Sequence, residues 1–200
     1  MREKIYFEDK VCTPQTLLTR LKTLARPLVF TNGCFDILHR GHVTYLAQAR
    51  AKGKSLLVAV NTDDSIRQQN KGRERPLNTL LNRMAVLAAL HSVDLVTWFD
   101  EQTPLKLISL VEPDILVKGG DWPRDKIVGS KEVLAKGGSV YSIPFIYHTS
   151  TTGLVKKIKM DEKRLENWLT GQQSFIFVSQ SDVILYQVVK ILLFNDINHV

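Results

Sequence analysis

Short apolar runs alternate with amphipathic stretches along most of the chain. Residues 28–31 (LVFT), 55–60 (SLLVAV), 95–99 (LVTWF), 114–118 (DILVK) and 139–143 (SVYSI) are rich in Val, Leu and Ile. Runs this short and this apolar predict strands buried on both faces. Helical spacing fills the gaps between them. Residues 14–25 place Leu17, Leu18, Leu21 and Leu24 on one face, after a Thr13-Pro14 cap and before Pro27. Thr at the N-cap and Pro at the first helical position are a standard start signal. Further helices are predicted over 42–52, stopped by Gly53, and over 78–90, 103–111 and 131–136. A last one runs from the Ser150 cap to about residue 158. Buried strands alternating with helices predict an α/β domain, and right-handed crossovers make it a doubly wound five-stranded parallel sheet.

The alternation stops near residue 160. Residues 162–170 fit a helix ending at Gly171, 175–178 a short strand, and 182–194 a helix with a broad apolar face. That face needs a cover, of which the protein itself is the plainest and a second copy or a membrane surface the others. The apolar run 175–194 contains Ser179, Gln180, Asp182 and Lys190, which argues against a transmembrane segment. The expected organisation is one domain over residues 1–160, with 1–26 as a helical lead-in, and a C-terminal appendage over 161–200 to which the pattern assigns no role.

Composition narrows the classes. Of 200 residues, 44% are hydrophobic and 24% charged, an ordinary globular balance that excludes wholesale disorder and collagen-like repeats. The length leaves no room for a second enzyme domain beside this one. The net charge is +7, and residues 154–200 hold six bases against five acids, so the excess lies in the main body. A basic body points to anionic partners, nucleic acid or small phosphates alike. Cys12 and Cys34 form no CxxC pair, and the charged start MREKIYFEDK has no apolar signal region. A cytoplasmic, reducing location is therefore expected.

Sheets of this kind bind ligands beyond the strand C-termini, where strand order reverses. The first loop there is NGCFDILHRGH, residues 32–42. Gly33 permits a tight turn and Gly41 a close backbone approach. His39 and His42 flank Gly41 at a helix start, where free N–H groups and the helix dipole favour phosphate. The same spacing suits two metal ligands on one helix face, or two structural histidines. After the second strand, Lys71, Arg73 and Arg75 precede Arg83 in the next helix, a candidate anion clamp or a solvated loop. Lys118-Gly119-Gly120-Asp121-Trp122 closes the fourth strand; paired glycines admit a flat group, and Asp121 can accept hydrogen bonds. Ser150, Thr151 and Thr152 open the last helix as caps or phosphate donors. A GxxxxGK[ST] phosphate loop, a GxGxxG fingerprint and a GxSxG elbow are all missing from the sequence.

His39-Arg40-Gly41-His42 is the HxGH motif, and together with the Lys-Gly-Gly-Asp-Trp loop and the late Ser-Thr-Thr it resembles the cytidylyltransferase-like nucleotidyltransferase superfamily over residues 13–158. Within it the segments VFTNGCFDILHRGHVTYLAQAR, RMAVLAAL, VDLV, PDILVKGGDW and IVG resemble the D-glycero-β-D-manno-heptose 1-phosphate adenylyltransferases. The sugar-kinase part often fused to that family is missing. The resemblance implies a Rossmann-like fold and AMP transfer from ATP, with Mg²⁺, to heptose 1-phosphate, giving ADP-heptose and pyrophosphate for lipopolysaccharide inner core. It assigns His39, His42 and Lys71 to catalysis. Gly33, Cys34, Phe35, Gly41, Arg83, Lys118, Gly119, Gly120, Asp121, Ser150, Thr151 and Thr152 are expected around ATP, with Arg83 on the β- and γ-phosphates. Asp36, Asn61, Asp63 and Arg75 are expected on the sugar phosphate. No protein ligand to the metal is expected, and the family resemblance implies a homodimer. Phe145 stands where cytidylyltransferase relatives carry an arginine, and the chain after Lys159 departs from the family's usual end. Two other readings remain beside this one. One is a related enzyme using glycerol 3-phosphate with CTP, or pantetheine phosphate with ATP. The other is a non-catalytic nucleotide- or nucleic-acid-binding protein, against which the chain offers no recognition helix.

Overall fold

Each apolar run becomes a strand because its alternate residues are buried on opposite faces of one sheet. A computed structural model describes residues 6–69, 75–147 and 150–169. The strands are β1 (Leu28–Gly33), β2 (Ser55–Asn61), β3 (Leu95–Phe99), β4 (Ile115–Gly119) and β5 (Ser139–Ile143). All pair in parallel, in the order β3-β2-β1-β4-β5. Phe30, Leu57, Leu95, Leu116 and Val140 point to one face, with Leu17, Ile108, Val111 and Val133 packed on them. Val29, Val58, Val96, Val117 and Ile143 point to the other, under Leu46, Ala49, Met84 and Leu87. The two-residue period of a strand assigns neighbours such as Val29 and Phe30 to different layers. Full burial of each such side chain contributes about 1.5–3 kcal/mol.

The covering helices are α1 (Pro14–Leu21), α2 (Arg40–Arg50), α3 (Asp63–Gln68), α4 (Leu80–Ala88), α5 (Leu105–Val111), α6 (Ser130–Ala135) and α7 (Thr151–Leu169). α1, α5 and α6 supply the first layer and α2 and α4 the second, so the sheet is doubly wound as expected. The lead-in belongs to the same body. Thr13 caps α1, Val11 bridges Val96, and the Cys12 N–H donates to the Val96 carbonyl at 2.9 Å.

Two elements differ from the sequence pattern. The stretch after β2, predicted as a polar loop, holds α3. Thr62 accepts from the Ser65 N–H, Asp63 and Asp64 sit in the first turn where the dipole favours them, and Ile66 is buried. A single buried apolar residue makes too weak a periodic signal to show in sequence. At the other end, the two helices predicted over 150–158 and 162–170 are one helix, α7, because Lys159, Met160 and Asp161 contain no breaker. The chain divides into two compact units, Met1–Leu154 and Val155–Val200. In the second, α7 is described to Leu169. The strand predicted at 175–178 and the helix at 182–194 lie outside the described residues. Among those described, no helix is long and apolar enough to cross a membrane.

The pairing is uneven at the centre. β1 stays paired with β2 as far as Gly33↔Val60, and β4 with β5 as far as Gly119↔Ile143. Between β1 and β4 the register covers only Val29↔Ile115 and Phe30↔Leu116. Beyond that point the buried Tyr45 of α2 fills the split. Its hydroxyl lies 2.5 Å from Thr31 Oγ1 and donates to the Val117 carbonyl at 3.2 Å. This is the topological switch point, and its mouth is where a ligand is expected.

Candidate active site

His39 occupies the N-cap position of α2 in an extended conformation (φ −141°, ψ 171°) and makes no side-chain cap. Its imidazole lies against the first turn of the helix that it precedes. His42, in the first turn, stacks on it with ring centroids 3.9 Å apart and planes 28° from parallel. Phe35 and Phe145 meet His42 edge-on at 5.5 and 6.2 Å. Nδ1 of both histidines is buried without a hydrogen-bond partner. Gly41 is required between them, because a Cβ there would meet the His39 ring at 3.0 Å and the Tyr147 carbonyl at 3.2 Å. Two adjacent imidazoles with unpaired nitrogens at a helix N-terminus form a receptor for an anion.

The other loops converge on the same mouth. Lys118 Nζ lies 3.3 Å from Asn32 Oδ1, joining the ends of β4 and β1. Gly119 passes under Phe145, where a Cβ would sit 2.7 Å from the ring. Gly120 has φ +106°, so only glycine holds that turn without strain. Asp121 is exposed. Trp122 is half-exposed yet fixed, its N–H donating to Ser142 Oγ (2.9 Å) and its Nε1–H to the Gly119 carbonyl (3.1 Å). Thr151 Oγ1 donates to the Ile37 carbonyl at 3.3 Å, tying the start of α7 to the histidine loop. Ser150 Oγ accepts from the Gly153 N–H at 3.0 Å, and Thr152 is exposed.

The cytidylyltransferase-like family matches residues 30–154, a span that runs from within β1 to the start of α7 and holds this site. The chain belongs to this family. It is 51% identical over 155 residues to the D-beta-D-heptose 1-phosphate adenylyltransferase of Bordetella bronchiseptica, covering 76% of this chain and 96% of that protein. It is 48% identical over 153 residues to the bifunctional protein HldE of a Marinomonas species, covering 75% of this chain but 32% of that one. The chain thus spans about a third of the bifunctional relative. Among solved structures, the pantoate-beta-alanine ligase of Francisella tularensis superposes with a TM-score of 0.50 at 14% identity, covering 72% of this chain and 69% of that one, which shows a shared fold.

In this cytidylyltransferase-like chain four residues expected on ligands are engaged by protein partners. Arg83, expected on the β- and γ-phosphates, has a fully buried side chain. Its guanidinium donates to the carbonyls of Asn78 (3.0 Å), Cys34 (2.6 Å) and Asn61 (2.8 Å) and to Asp63 Oδ1 (2.7 Å). With those donors occupied it joins β1, β2 and α4 rather than reaching phosphate. Asp36, expected on the sugar, is also fully buried. It accepts from the N–H groups of Leu77 (2.9 Å) and Asn78 (2.8 Å) and pairs with Arg75 Nε at 2.6 Å. Arg75 is thereby held by Asp36, and Asp63 by Arg83. Asn61 is buried and donates to Ser65 Oγ at 3.0 Å, although it borders the cavity described next. Lys71 lies outside the described residues.

A cavity of about 270 Å³ opens at the ends of β1, β2 and β4, bordered by Asn32, Asn61, Gln69, Gln102, Lys118 and Trp122 among others. Cys34 also borders it, its thiol 3.6 Å from Gln69 Oε1. Gln69, Gln102 and Tyr45 were not legible as site residues. Tyr45 reads as one more apolar position of a helix, and Gln102 lies in a loop after β3 that carries no motif.

Burial pushes His42 down to about 4, helped by the neighbouring His39 and opposed by a backbone contact at Ile37; burial lowers His39 as well. Both rings are neutral at pH 7 without ligand. A folded-state value below the ordinary 6.5 means that the unfolded chain binds the proton more tightly. His42 therefore contributes stability above pH 6.5 that is lost as pH falls towards 4. We expect the melting temperature to drop over that window and the drop to be shallower in His42→Gln. Equal slopes in calorimetric scans of the two proteins would contradict this.

Proposed function

We propose that the chain transfers AMP from ATP to D-glycero-β-D-manno-heptose 1-phosphate, giving ADP-heptose and pyrophosphate for the lipopolysaccharide inner core. The observation that carries this is the stacked His39–His42 pair, with buried unpaired nitrogens, at the start of α2 in the switch-point crevice. The identity to the Bordetella bronchiseptica adenylyltransferase along nearly its whole length supports the choice of acceptor.

In this reading no protein nucleophile takes part. A phosphate oxygen of the sugar attacks the α-phosphorus, a new P–O bond forms, and the bond to the β-phosphate oxygen breaks. Pyrophosphate leaves, with inversion at phosphorus. Repulsion between two anions and their alignment are the obstacles, so positioning and charge stabilisation supply the rate. His39 and His42 donate to the α-phosphate and the leaving oxygen. Lys71 bridges the reacting phosphates, and Lys118 adds positive charge from β4. Gly33, Cys34, Phe35 and Gly41 shape the floor. Gly119, Gly120 and Asp121 border the adenosine, and Ser150, Thr151 and Thr152 close on the triphosphate. A divalent cation such as Mg²⁺, when bound with ATP, offsets phosphate charge. The reading includes a cytoplasmic homodimer, carried by the family resemblance.

The test is incubation with ATP, Mg²⁺ and either anomer of heptose 1-phosphate, with the nucleotide sugar identified by mass. ADP-heptose and pyrophosphate are expected in equal amounts, from the β anomer. Pyrophosphate release with glycerol 3-phosphate and CTP, or with pantetheine phosphate, but not with the heptose phosphate, would overturn the acceptor.

A further inference from the structure

Asp36, Asp63 and Arg75 are held by protein partners, which leaves Asn61 of the four residues the sequence suggested for a sugar acceptor. The cavity at the ends of β1, β2 and β4 supplies others. Its polar wall consists chiefly of carboxamides, from Asn32, Asn61, Gln69 and Gln102, with ammonium groups from Lys118 and Lys126. No carboxylate is among its described lining residues. A carboxamide both donates and accepts, as does a hydroxyl, so a wall of amides suits a run of vicinal hydroxyls. Lys118 suits a phosphate attached to them, while Lys126 at the border faces Asp125 at 3.8 Å. The volume of about 270 Å³ falls just under that of drug-sized pockets, which fits one monosaccharide phosphate.

The amides differ in what already holds them. Asn61 is buried and bonded to Ser65, and Asn32 meets Lys118. The carboxamide of Gln102 has no hydrogen-bond partner among the described residues, and Gln69 meets only the Cys34 thiol there. Both are therefore available to a ligand. They stand on different walls, Gln69 at the end of α3 and Gln102 in the loop after β3.

We propose that this cavity is the acceptor subsite and that Gln69 and Gln102 are its specificity-determining residues, selecting a polyhydroxylated sugar phosphate by paired hydrogen bonds to its hydroxyls. The proposal rests on the heptose phosphate reading above and names residues for it. An acceptor with fewer hydroxyls leaves the half-buried Gln69 short of a partner and returns the exposed Gln102 to water, so it forgoes hydrogen bonds that the full sugar makes.

The test uses Gln69→Leu, Gln102→Leu and the double variant of the full chain, each checked for folding by its melting curve. Initial rates are measured with heptose 1-phosphate and with mannose 1-phosphate, which lacks one hydroxyl-bearing carbon. Each single change should raise the acceptor KM by about tenfold, the upper end for one neutral hydrogen bond, while the ATP KM stays within about twofold. In the double variant the preference for the heptose over the hexose should narrow. A rise in the ATP KM instead, or an equal loss with both acceptors, would overturn the assignment. Wild-type protein inactive on heptose 1-phosphate would overturn the functional reading itself, whereas an active wild type with unmoved variants overturns only the subsite.

Discussion

His42→Ala lowers turnover by on the order of 10²–10³ or more while the protein keeps its fold. The size follows from where the ring sits. It is stacked on His39 at the start of α2, flanked by Phe35 and Phe145, with Nδ1 buried and unpaired. A donor held in place before the reaction needs no reorganisation as charge develops on phosphate, and alanine leaves nothing to replace it. The sheet and its two apolar layers contain neither histidine, so the variant keeps its fold and loses above pH 6.5 only the share of stability that His42 itself contributes. Steady-state kinetics on the folded variant checks this. Near-normal turnover would remove His42 from the mechanism and with it the main support for the proposed chemistry.

Arg83→Met destabilises the protein by about 3–5 kcal/mol, the range for removing one partner of a buried charged pair. For a chain of this size that is roughly 6–20 °C in melting temperature. Methionine fills much of the space but leaves the carbonyls of Cys34, Asn61 and Asn78, and the Asp63 carboxylate, without their donor. Those carbonyls belong to the histidine loop, the end of β2 and the approach to α4, so activity falls with stability. The phosphate role suggested by the sequence predicts the opposite pattern, an unchanged melting curve with a raised ATP KM. Thermal denaturation alongside ATP titration separates the two.

Arg83 also shows why part of the site was hidden. An arginine following a Lys-Gly-Arg-Glu-Arg segment reads as one more cation near an anion. Whether its guanidinium faces solvent or backbone carbonyls depends on how β1, β2 and α4 pack, and no local pattern carries that. Asp36 is the same case: a polar residue in a ligand loop that the fold turns inward onto Leu77 and Asn78. Gln69 and Gln102 are the converse, residues far apart in sequence that tertiary packing sets around one cavity.

By itself the sequence determined the doubly wound parallel sheet, the loops at its C-terminal edge and the histidine pair. These follow from signals of short range: apolar runs of strand length, caps and breakers at helix ends, and a motif within one turn of a helix. Tertiary structure alone decided which charged side chains remain available for a ligand. A buried ion must be paired where it lies, and its partners come from segments that meet only when the chain is folded.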